Sequence, residues 1–119
     1  MNNTLFRQLP SAIVKTALSL ENIGVDEYAW DWQDSIKIIE TLTGSANKIT
    51  ILGGDVYVMA NGQFKHTGDS WFIEKAVSES SDVFLDRTRF ISIAYIKTYT
   101  ARNGENFFYS IVVQVVAES

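Results

Sequence analysis

Asn61-Gly62 stands between two runs of strand-forming residues, and a two-residue turn of that composition closes a β-hairpin. Both central residues of such a turn need positive φ, which asparagine and glycine reach at least cost. The middle of the chain is therefore antiparallel. On its amino-terminal side, Lys48 to Leu52 and Asp55 to Ala60 read as strand and flank Gly53-Gly54. A glycine pair inside a strand signal indicates a bulge or a close approach of another backbone. On the far side, Phe64 to Thr67 returns as a short strand and Gly68-Asp69 marks another turn. Ser70 to Val77 then alternates Trp71, Ile73 and Val77 against Phe72 and Ala76. Trp71 and Phe72 thus face opposite sides of the sheet. Phe107 to Val116 is the strongest strand pattern, with one wholly apolar face and one mixed face. That pattern suits a central strand beneath helices.

Helical spacing accounts for three further segments. Leu9, Ile13, Ala17 and Leu20 share a stripe over Pro10 to Glu21, with proline at a first-turn position. Trp32, Ile36, Ile39 and Thr43 form a second stripe, with Asp31 as cap, Asp34 in the first turn and Gly44 as stop. Phe84, Thr88, Ile91 and Tyr95 form a third over Phe84 to Tyr99, behind the polar start Ser78 to Asp82. The expected fold class is α+β: a small, mainly antiparallel sheet with helices packed on one face, in the order α-α-β-β-β-α-β. The whole of residues 1–119 fits one domain of ordinary size.

The residue inventory excludes most chemistry. The absence of cysteine removes disulfides, thiolate nucleophiles and thiolate metal sites, and it suits a reducing cytoplasm. A zinc site built on His66, the only histidine, would need mostly carboxylates. No serine elbow accompanies His66 for a nucleophilic triad, and no glycine-rich phosphate loop is present. Asp55 and Asp69 could in principle face each other as glycosidase carboxylates, which need about 5–10 Å of separation. Solvation or turn capping accounts for them more simply. The chain reads as no enzyme and as needing no cofactor. Fourteen acidic residues against ten basic ones give a net charge of −4 and leave no basic stripe for nucleic acid. No run approaches the ~18 apolar residues of a membrane span. Met1 to Pro10 does not read as a signal peptide.

What remains is protein binding. Between Lys15 and Lys37 there is no basic residue, while Glu21, Asp26, Glu27, Asp31 and Asp34 surround Tyr28, Trp30 and Trp32. Aromatic anchors dominate many interfaces, and an acidic field steers a basic partner. Asp26, Glu27, Tyr28, Trp30, Asp31, Asp34, Asp55 and Trp71 are the partner-binding candidates. Core packing competes for the tryptophans, and capping or solvation competes for the acids. An exposed sheet edge could also pair with a partner strand or with a second copy.

Trp30-Asp31-Trp32 leading a helix, then Ile51-Leu52-Gly53-Gly54-Asp55-Val56-Tyr57, Asn61-Gly62 and Asp69-Ser70-Trp71-Phe72, resembles the immunity protein 40 family. The resemblance covers roughly Tyr28 to Tyr95, and Leu52 to Tyr57 is its most specific block. Ser70 and Phe72 depart from the asparagine and tyrosine expected there, and Met1 to Gly24 lies outside it. It implies a bacterial protein encoded beside a polymorphic toxin, as in contact-dependent growth inhibition. Such a protein binds and neutralises the cognate toxin domain in the producing cell's cytoplasm, with no catalysis. A toxin attacking nucleic acid would be basic, and an acidic inhibitor would occlude its active site or substrate groove. The competing reading is a small adaptor or complex subunit without a toxin partner.

Overall fold

The computed structural model describes residues 9–21, 27–44 and 48–114. The elements in chain order are α1 (Ser11–Lys15), β1 (Leu18–Ser19), β2 (Tyr28–Ala29), α2 (Trp32–Thr43), β3 (Thr50–Ala60), β4 (Gln63–Phe72), α3 (Ser81–Asn103) and β5 (Phe107–Gln114). β3 lies in the middle of a three-stranded antiparallel sheet of order β4-β3-β5, and β1 pairs antiparallel with β2 in a separate two-stranded ribbon. The fold is α+β, and α2 and α3 pack on one face of the larger sheet.

Locally determined features match the sequence. Asn61 and Gly62 have φ of 52° and 77°, as their hairpin requires. The Asp31 carboxylate accepts the Asp34 N–H at 2.8 Å and so satisfies one of the unpaired donors at the start of α2. Ser80 does the same for α3, accepting from Val83. Ile38, Ile39 and Leu42 bury the inner face of α2 against Ile51, Val56, Tyr109 and Ile111 of the sheet.

Three expectations change. The segment expected as one helix from Pro10 to Glu21 is helical only over Ser11–Lys15, because Leu18 and Ser19 leave the helix to pair with Ala29 and Tyr28. β3 and β4 each run unbroken where shorter pieces were expected. β4 passes through Gly68-Asp69 as a wide bulge: Asp55 faces Ser70 and Tyr57 faces His66, so Val56 alone opposes Thr67, Gly68 and Asp69. Gly68, at φ 91°, makes the bend, and the Thr67 hydroxyl bridges it by donating to the Val56 carbonyl and accepting from the Asp69 N–H. β4 ends at Phe72, so Glu74 to Val77 lie outside the sheet. Finally, the central strand is β3 and not β5. Among the described residues, the outer side of β5 meets a single bridge, in which Trp30 and Tyr109 exchange N–H···O bonds of 3.0 and 2.8 Å.

The segment after β4 is tied back onto α3. The Arg87 guanidinium donates to both Glu79 carboxylate oxygens at 2.7 and 2.8 Å and to the Glu74 carbonyl. These bonds, with the Ala76 N–H, hold the Glu79 carboxyl down from its ordinary 4.5 to about 2. A depressed carboxylate stabilises the fold fully above its unfolded value, and that contribution is lost as pH falls through the folded one. The melting-temperature difference between the wild type and Glu79→Gln is therefore expected to be constant near neutrality. It should shrink to nothing between about pH 4.5 and about pH 2. A difference independent of pH would show that the ion pair does not report on folding.

Candidate functional site

The face of the sheet away from α2 and α3 is only partly covered, and the strand register places its side chains in rows. Phe72 and Val112 flank Gly53; Ser70 and Ser110 flank Asp55; His66 and Phe108 flank Tyr57. The β1–β2 ribbon closes the Tyr57 end, where Leu20, Ala29 and Tyr57 form a small buried cluster edged by Phe64 and Phe108. The Gly53 end stays open. Phe72 is 70% exposed and Val112 39%, in each case between two residues turned to the core. Two strand spacings separate them, roughly 10 Å, with no side chain between. The result is an apolar notch floored by a glycine.

Acidic groups border that notch. Asp55 is half-exposed, and its Oδ1 lies 3.2 Å from His66 Nε2. The Gly68 N–H donates to His66 Nδ1 at 2.8 Å, which makes Nδ1 an acceptor and Nε2 the donor to Asp55. With both nitrogens engaged, His66 has none left to take a proton from Ser70 or Ser110, so this Asp-His-Ser neighbourhood lacks a general base in a triad's sense. Burial raises the pKa of the Tyr57 hydroxyl, and the negative charges of Asp55 and Glu27 push it further up. The charges of Glu27 and Asp55, 28 positions apart in sequence, thus both act on one tyrosine.

The other sequence-derived candidates are distributed elsewhere. Trp30 is fully buried and donates its indole N–H to the Ile13 carbonyl at 3.0 Å, so its ring belongs to the core. Trp71 is 8% exposed; its indole N–H donates to Ser92 Oγ at 3.0 Å and its ring stacks on Tyr95 at 4.8 Å. Neither ring is presented to a partner. Tyr28 is half-buried in β2, packed against the main core. Asp31 and Asp34 sit together at the start of α2, where Asp31 is occupied in capping. Asp26 lies outside the described residues.

Gly53 and Gly54 serve the packing around Trp71. A Cβ on Gly54 would overlap the Ser110 carbonyl oxygen and come within 2.5 Å of Trp71 Cη2. Gly53 has φ of +151°, and a Cβ there would overlap the Trp71 carbonyl oxygen. The pair lets β4, β3 and β5 close up beneath the indole. The exposed anchors Phe72 and Val112 were not among the sequence candidates. The alternation around Trp71 carried half of that signal, since burying Trp71 turns Phe72 outward.

The match to the family model described as Immunity protein 40 spans residues 19–113. The chain belongs to the immunity protein 40 family. The match reaches further toward both ends than the motif block, and takes in Ser19 of β1, all of β2 and nearly all of β5. Neither the curated proteins nor the solved structures give a match. An immunity protein 40 chain has the role of an immunity protein, with a toxin protein as the implied partner, and the family is not known as enzymatic. Among the described residues, no helix is long and apolar enough to cross a membrane. Nor do those residues hold a group of three His, Cys, Asp or Glu placed to bind a metal.

Proposed function

We propose that this protein neutralises a cognate toxin domain in the cytoplasm by laying the open face of its sheet over the toxin's active site or substrate groove. The observation that carries this reading is the juxtaposition of Phe72 and Val112, exposed across Gly53, with the carboxylate of Asp55 in the next row of the same face. A desolvated aromatic centre beside charge of one sign is how tight interfaces combine anchoring with steering. The net charge of −4 favours a toxin with a basic surface, such as one that acts on nucleic acid.

The partner is the toxin domain encoded beside this chain, and the test is binding to it at several salt concentrations. Charge reversal at Glu27 and Asp55 is expected to slow association by about tenfold at low salt and to flatten its salt dependence. Phe72→Ala should instead speed dissociation by about tenfold or more, with association little changed. Co-expression should rescue cells carrying the toxin. Failure to bind that toxin would overturn the reading, and unchanged association after charge reversal would move the interface off this face.

A further inference from the structure

α3 carries apolar residues on more than one side, interspersed with charged ones. Its inner face is covered: Phe84, Leu85, Thr88, Ser92 and Ile96 are buried. Its outer face is not. Val83 is 57% exposed and Phe90 75%, and Ala94, Lys97 and Ala101 are exposed with them. At 100° per residue these positions and Asp86 fall on one stripe along the helix. Between them Arg89, Phe90, Ile93, Ala94 and Lys97 line a groove of about 260 Å³.

The order of residues along the stripe says what fits it. Val83 and Ala101, Asp86 and Lys97, and Phe90 and Ala94 stand in pairs about a common midpoint near Ser92. An antiparallel copy of the same stripe would set Val83 on Ala101, Asp86 on Lys97 and Phe90 in the groove beside Ala94. Each contact would be made twice. A two-fold interface needs this kind of self-complementarity, residue i on j and j on i. The electrostatics agree. Among the described residues Asp86 is paired with Arg89 alone, through an exposed hydrogen bond of 3.3 Å, and Lys97 has no ion-pair partner. Arg87, at the margin of the stripe, is already neutralised by Glu79.

We infer that the outer face of α3 is a homodimer interface in which two copies of this helix pack antiparallel. The contact would run about 27 Å from Val83 to Ala101, which places it at the small end of specific interfaces, below ~1,200 Å². The dimer is accordingly weak, with a dissociation constant in the micromolar range or above. It leaves the open faces of both sheets outward, since α3 packs on the opposite side. Strand addition along β4 is a poorer route to a dimer, because the bulge at Thr67 to Asp69 interrupts that edge.

Sedimentation velocity on the full chain from about 10 μM to about 1 mM tests this. The sedimentation coefficient should rise with concentration. Phe90→Asp should abolish the rise while leaving the melting temperature unchanged, because Phe90 supports nothing inside the fold. Asp86→Lys or Lys97→Glu alone should weaken dimerisation at least about tenfold, since each turns two attractions into repulsions. The double swap should return it to within about threefold of wild type. A chain that stays monomeric throughout, a dimer indifferent to Phe90→Asp, or a double swap no better than the singles would overturn the proposal.

Discussion

Gly54→Val is expected to cost the protein about 3 kcal/mol or more, a large fraction of the stability of a small domain. The atoms a Cβ would meet cannot give way cheaply. One is the Ser110 carbonyl oxygen, fixed in the β3–β5 ladder; the others are ring carbons of Trp71. Trp71 is itself held between its bond to Ser92 and its stack on Tyr95. Relief must come from separating strands at the centre of the sheet. Gly62→Ala provides the contrast: nothing stands within 4 Å of its Cβ, so the cost is that of φ +77° alone, about 1 kcal/mol. Urea denaturation of the two variants would show the difference as a shift in midpoint. Equal midpoints would mean that the close packing over Gly54 does not matter to stability.

Trp30→Ala should be of similar or greater severity, about 3–5 kcal/mol. The ring is fully buried, and its indole N–H pairs with the Ile13 carbonyl. Removing it opens a large cavity, and the backbone bridge to Tyr109 loses the packing that holds it in place, while the Ile13 carbonyl keeps its bonds from the Thr16 N–H and hydroxyl. Trp30→Phe keeps most of the volume and loses the hydrogen bond, at about 1–2 kcal/mol. Because Trp30 stands inside the acidic, aromatic segment, an alanine scan would report it as critical for toxin binding. The phenylalanine variant separates the two explanations. It should fold and bind like the wild type if Trp30 acts through the core, and would bind poorly if the indole touched the toxin.

What could be read from the sequence follows the range of the interactions concerned. α2 was legible because its cap, first-turn acid and stop all lie within its own residues. The Asn61-Gly62 turn was legible for the same reason. Leu18 and Ser19 fell within a helical pattern yet became strand, because pairing with β2 offered a tertiary alternative that periodicity does not encode. Gly68-Asp69 reads as a turn in isolation; only Val56 opposite makes it a bulge within one strand. β5 has the composition of a buried strand because helices cover one face, Trp30 bridges its outer edge and Ser110 points into the sheet. The candidate surface was legible only in fragments. Asp55 and Glu27 could each be named, but their meeting at Tyr57 depends on the β1–β2 ribbon folding over the sheet.

The glycine pair under Trp71 has a consequence for how this family diversifies. The block that makes the chain recognisable is constrained by backbone closeness, and that constraint is the same whatever toxin is bound. Of the side chains that would read a partner under the proposed interface, Phe72 and Val112 stand outside it on positions the fold leaves open, while Asp55 lies within it. Among relatives, residue changes are expected to accumulate on the open face while Gly53, Gly54 and Trp71 stay fixed, so inheritance of the scaffold is uncoupled from inheritance of specificity.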